Sequence, residues 1–127
     1  MIDHVSLQVR DLKTSAAFYA SVLEPLGYSQ LVEREATIGF GKRYPEIWLN
    51  LRADMPPALV NTGAHICLRA RNEDEVRAFY DQAMAHGGAD DGPPGPRQAA
   101  MTGYYACFVL DPDGNRIEAA TFPAPSR

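Results

Sequence analysis

Two histidines and one glutamate, His4, His65 and Glu118, are the residues of this chain best suited to hold a divalent metal ion. Two imidazoles and a carboxylate suit iron, manganese, nickel or zinc, and such a set leaves coordination positions open. Open positions are what a metal catalyst needs, because the ion must reach a substrate oxygen to polarise it. A single inward histidine is more often a hydrogen-bonded residue of the interior than a ligand. The pattern around these three argues for more. Val5, Leu7 and Val9 alternate against His4, Ile66 and Leu68 against His65, and Ile117 and Ala119 flank Glu118. Period-two alternation puts each of the three on the strand face turned away from the apolar side.

The strands that carry the histidines belong to an internal repeat. A shift of 61 residues superposes His4 on His65, Leu7 on Leu68, Arg10 on Arg71 and Ala17-Phe18-Tyr19 on Ala78-Phe79-Tyr80. Two copies of one strand-then-helix unit follow. In the first copy the period turns helical at Phe18, Tyr19, Val22, Leu23 and Leu26, and in the second at Val76, Phe79, Tyr80, Ala83 and Met84. Asp11 and Asn72 suit the helix N-caps, Asn72 with the capping-box spacing to Glu75, and Gly27 and Gly87-Gly88 suit the helix ends.

Strand-like stretches resume after each helix, at Glu33 to Phe40 and Ile47 to Arg52, then at Tyr104 to Leu110 and Arg116 to Thr121. Asp111-Pro112-Asp113-Gly114-Asn115 joins the last two as a tight hairpin. Each module therefore reads strand, helix, then about three strands, with module 1 spanning about 1–55 and module 2 about 63–122 of a single domain, 1–127. Residues 87 to 103 hold five of the ten glycines and three of the ten prolines, which predicts a mostly irregular loop with room for one short strand. If the modules sit side by side about a pseudo-twofold axis, His4, His65 and Glu118 can converge.

Composition narrows the partners. The chain has 127 residues, 46% hydrophobic and 22% charged, which is the make-up of one globular domain. With a net charge of -4 and scattered lysines and arginines, it has no footprint for a nucleic-acid backbone. No apolar run approaches a membrane span and no signal peptide opens the sequence, so a cytoplasmic protein without a membrane partner is expected. Cys67 and Cys107 lack both disulfide and metal-knuckle spacing and read as reduced packing residues.

The motifs Asp3-His4-Val5, Arg10-Asp11-Leu12, Phe18-Tyr19 and His65-Ile66, with the closing stretch from Tyr104 through Asp111-Pro112-Asp113-Gly114-Asn115 to Glu118, resemble those of the vicinal oxygen chelate superfamily. That superfamily includes glyoxalase I, methylmalonyl-CoA epimerase, fosfomycin-resistance transferases, extradiol dioxygenases and bleomycin-binding proteins. The resemblance covers nearly the whole chain and implies an α+β fold of two βαβββ modules forming a U-shaped mixed sheet with helices outside. It also implies one divalent metal ion on His4, His65 and Glu118, and a homodimer. In glyoxalase I a fourth ligand, a glutamate, comes from the last strand of the first module; here the matching position is Trp48, with Glu46 and Asn50 on the same face. Without that carboxylate the base of the glyoxalase reaction is missing.

Trp48, Asn50, Tyr105 and Arg97 are the candidate substrate contacts: Trp48 and Tyr105 as aromatic surface, Arg97 for an anionic group. Tyr105 shares a face with Cys107 and Val109 and is taken as the cavity residue in preference to Tyr104. Arg69, Arg97 and Lys42 are not recognisable in the sequence as the cationic cluster a phosphonate would need. The expectation is a metal-dependent lyase, isomerase or dioxygenase acting on a small molecule with two adjacent oxygens. The alternative is a non-catalytic binding protein that sequesters an antibiotic or metabolite.

Overall fold

The computed structural model describes residues 1–56, 62–98 and 103–122. Strand β1 (Val5–Val9) leads into helix α1 (Leu12–Leu23), followed by β2 (Ser29–Glu33), β3 (Thr37–Gly41) and β4 (Pro45–Leu51). The order then repeats as β5 (Ile66–Arg69), α2 (Glu73–Ala85), β6 (Ala89–Pro96), β7 (Tyr105–Leu110) and β8 (Arg116–Thr121). These are the two βαβββ modules of the expected α+β fold. Each builds a four-stranded mixed sheet, β1-β4-β3-β2 and β5-β8-β7-β6, in which the first strand runs parallel to the last.

The helices begin where their caps allow. Asp11 accepts the Thr14 N–H at 3.1 Å and Asn72 accepts the Glu75 N–H at 2.9 Å, satisfying donors that a helix start leaves free. Glu75 departs from the capping-box pattern: its carboxylate takes the backbone N–H and the guanidinium of Arg71 instead. Phe18, Tyr19, Val22 and Leu23 of α1 and Val76, Phe79 and Ala83 of α2 are buried with Val9, Leu49, Val109, Ile117 and Ala119 of the sheets. This one core lies between helices and strands, so the opposite sheet faces are left for function.

The closing turn locks the second module to the first. Asp113, only 5% exposed, accepts the backbone N–H and Nε of Arg10, each at 3.0 Å, and the Ser15 hydroxyl at 3.1 Å. Asp111 accepts the buried Tyr19 hydroxyl at 2.6 Å, the Asn115 amide, and the N–H groups of Asp113 and Asn115. Asn115 reaches on to the carbonyl of Gln8 in β1 at 3.1 Å. Residues suited to a tight turn thus also serve as the clasp between modules.

Two local expectations change. The stretch Glu33 to Phe40 is not one strand, because a turn closed by the Arg34 N–H to the Thr37 carbonyl splits it into the end of β2 and most of β3. In the expected loop, Ala89–Pro96 forms an eight-residue strand with register shifts around Gly92. It tolerates three prolines because it pairs only with β7 and its other edge needs no donors. The expected loop also includes residues 99–102, which lie outside the described residues.

Candidate functional site

The open face of the second sheet can be read row by row from its register. Cys67 lies beside Glu118, Glu118 beside Phe108, and Phe108 beside Gly92. The next row runs Arg69, Ala120, Ala106, Gly95. Glu118 stands near the middle of this face yet is only 2% exposed, because its neighbours close over it. His65, just before β5, brings Nε2 to 3.0 Å from Glu118 Oε1, and the Tyr104 hydroxyl donates to Oε2. The His65 ring meets Phe108 edge-on at 5.7 Å. A carboxylate with both oxygens engaged is held in one orientation before any ligand arrives.

Tyr104 and Cys67, which flank the carboxylate, stay protonated. Burial, and then the Glu118 carboxylate, push the Tyr104 phenol well above its ordinary value. Burial and Glu118 likewise push the Cys67 thiol up to about 12, so at neutral pH it is a thiol and not a nucleophilic thiolate. Positive charge rings the centre. Arg116 lies 4.1 Å over Phe108 and pairs with Asp91, Arg97 lies 5.8 Å over the same ring, and Arg69 lies 5.1 Å over Phe122.

The first sheet carries the other candidates. His4 is half exposed and its Nδ1 lies 2.8 Å from Asp3. Trp48 pairs in register with Ser6 and with Gly39, where a Cβ would come to 3.0 Å from the indole, and Arg34 lies 5.8 Å over it. Asn50 lines a cleft of about 650 Å³ with Ser6, Gln8 and residues 51 to 55. A second cleft, about 680 Å³, runs between the modules and includes Val5 to Gln8, Thr62 to Ile66 and Arg116.

The seven expected site residues are therefore divided. His65, Glu118 and Arg97 share the open face of the second sheet; His4, Trp48 and Asn50 belong to the first. Among the described residues, no three histidine, cysteine, aspartate or glutamate side chains come together as a metal cluster. The expectation for Tyr105 is corrected: it packs against the core on the helix side, and its hydroxyl accepts from Arg77 of α2 at 3.1 Å. Tyr104 is the residue that faces Glu118. The signal was available, since β7 and β8 are joined by a short turn and pair Phe108 with Glu118, which puts every second residue back to Tyr104 on that face. Cys107 is buried as expected, whereas Cys67 is an open-face residue beside Glu118.

Comparison with known proteins gives a consistent picture. The family model described as Glyoxalase/Bleomycin resistance protein/Dioxygenase superfamily matches residues 1–119. A glyoxalase/bleomycin resistance protein from Albidiferax ferrireducens is 30% identical, with a TM-score of 0.81 over 93% of this chain and 96% of that one. A glyoxalase-related enzyme from Fulvimarina pelagi shares the fold at 22% identity and a TM-score of 0.74, covering 97% and 88% of the two chains. The genomically encoded fosfomycin resistance protein FosX from Listeria monocytogenes shares it at 18% identity and 0.68, covering 94% and 91%. No curated protein matches.

Proposed function

The chain belongs to the Glyoxalase/Bleomycin resistance protein/Dioxygenase superfamily, and on that footing we propose that it is a divalent-metal-dependent enzyme of lyase, isomerase or dioxygenase type. Its substrate is a small molecule with two adjacent oxygens. The observation that carries this reading is the His65–Glu118 pair, an imidazole nitrogen 3.0 Å from a carboxylate oxygen on an open sheet face. Nitrogen and oxygen donors at this separation fit iron, manganese, nickel or zinc. Among the described residues one chain brings together these two and not His4, so the reading requires a homodimer in which His4 of a second copy supplies the third ligand.

When bound, the ion supplies Lewis-acid chemistry toward the paired oxygens of the substrate. The chain's own residues do the rest. Tyr104 and His65 fix the orientation of Glu118, and the Tyr104 hydroxyl keeps a proton at that edge of the site. Trp48 offers a flat apolar surface and Asn50 a polar contact from the first sheet, while Arg97 meets an anionic group. No helix of the described residues is long and apolar enough to cross a membrane.

A second reading, a binding protein without catalysis, is favoured by Trp48, which stands where a further carboxylate ligand would be. Metal analysis of protein purified without affinity tag or chelator separates the two, beside a His4→Ala, Glu118→Ala double variant, with iron, manganese, nickel and zinc added back. Stoichiometric metal in the parent alone supports the enzyme. Absence of metal from both leaves the binding protein.

A further inference from the structure

The open face of the second sheet carries more positive charge than its own carboxylates neutralise. Arg69, Arg97 and Arg116 all rise from it, in a protein whose net charge is -4. Arg116 is matched by Asp91. Among the described residues neither Arg69 nor Arg97 has a carboxylate within ion-pair distance, and Glu118 is engaged by His65 and Tyr104. A local field of this sign on an acidic protein selects anions.

The arginines are also held in place. The Arg97 guanidinium donates to the carbonyls of Pro93 and Pro96 and lies over Phe108. Gly92 and Gly95 make room for it, since a Cβ at either would come to 3.3 Å from one of its terminal nitrogens. Arg69 is spread over Phe122, whose ring lies 4.9 Å from that of Tyr104. Between these groups the row Ala120, Ala106, Gly95 has almost no side chain, which lets rings and guanidinium groups lie close to the sheet. The result is a layer of aromatic faces edged by two pre-oriented guanidinium groups that have no ion-pair partner among the described residues.

We infer that this face binds an organic anion, a carboxylate or phosphonate on a flat apolar body, with the anionic group drawn by the Arg69 and Arg97 guanidinium groups and the body against the aromatic layer of Phe108 and Phe122. Guanidinium groups recognise such oxyanions through paired N–H donors, and the rings supply the apolar contact. The inference rests on reading this face as the ligand surface but not on metal, so it is tested on chelator-treated full-length protein.

The probe is phenylphosphonate, titrated calorimetrically, with benzyl alcohol as the neutral counterpart. Phenylphosphonate is expected to bind at millimolar concentration or better, to weaken with added salt, and to bind about ten-fold more tightly than benzyl alcohol. Arg97→Gln and Arg69→Gln should each weaken it by about ten-fold, while Lys42→Gln, in the first module, leaves it unchanged. Gly95→Ala displaces Arg97 without removing it and should weaken binding in the same direction, which covers the case of an arginine variant that fails to fold. Absence of phenylphosphonate binding, equal binding of benzyl alcohol, or parental affinity in the folded arginine variants overturns the inference. None of these outcomes bears on metal stoichiometry, and a metal-free parent that binds phenylphosphonate would retain this inference while removing the metal.

Discussion

Trp48 lies beside Ser6 in the first module as Glu118 lies beside Cys67 in the second, so the two residues occupy equivalent positions in the repeat. One half presents a carboxylate where the other presents an indole, and an indole offers a metal no lone pair. On the proposed function, Trp48→Glu should therefore add an oxygen donor to the proposed shared site and tighten metal retention by about ten-fold or more, measured by competition with a chelator. Unchanged retention would mean that Trp48 does not face the metal.

Tyr104 is expected to tune the site and Tyr105 to leave it alone. Tyr104→Phe removes a donor from Glu118 and should lower metal affinity by about ten- to a hundred-fold, as loss of such supporting hydrogen bonds does elsewhere. Tyr105→Phe loses only the contact with Arg77 and should bind metal as the parent does. Equal effects of the two substitutions would reverse the assignment of faces.

The clasp between modules sets stability. Asp113→Ala leaves the Arg10 N–H and guanidinium and the Ser15 hydroxyl without their acceptor, and should cost about 2–4 kcal/mol in urea unfolding. A loss under about 0.5 kcal/mol would show that the turn is only a connection.

The same clasp predicts an alkaline limit. Burial, and then the Asp111 charge, raise the Tyr19 phenol well above its ordinary 10.0, so the folded state resists ionisation that the unfolded chain undergoes. A group whose folded value is raised contributes stability that is full below its unfolded value and is lost as pH rises beyond it. Above pH 10 the parent should lose stability faster than Tyr19→Phe, by up to about 1.4 kcal/mol per pH unit. Parallel pH profiles for the two proteins would contradict this.

Much of the fold is legible in the sequence because the repeat doubles every signal: the strand leading to His4 is read again at His65, and the cap at Asp11 again at Asn72. The hairpin at Asp111 to Asn115 is legible from its turn residues, but its role as a clasp is not, since Asp113 meets Arg10 and Ser15 only once the modules fold together. Alternation decides a face only when one side is polar. It succeeds for Glu118 between Ile117 and Ala119, and it is ambiguous in β7, where Ala106 and Phe108 on one side are as apolar as Cys107 and Val109 on the other. The choice of Tyr105 over Tyr104 follows from that ambiguity. The β6 strand is hidden for a different reason, because its glycines and prolines are allowed at a bulged sheet edge.

Subunit complementation tests most directly whether the metal site is shared between two chains. His4→Ala and Glu118→Ala, prepared separately, should each hold no stoichiometric metal. Unfolded together in equal amounts and refolded, they form heterodimers in which the intact His4 of one chain faces the intact His65 and Glu118 of the other. The mixture should then recover about a quarter of the parental metal, since half of the dimers are mixed and each mixed dimer has one whole site of two. Recovery at that level is the expected result; stoichiometric metal in either single variant, or none recovered on mixing while the parent binds metal, would contradict a site assembled from His4 of one chain and His65 and Glu118 of another.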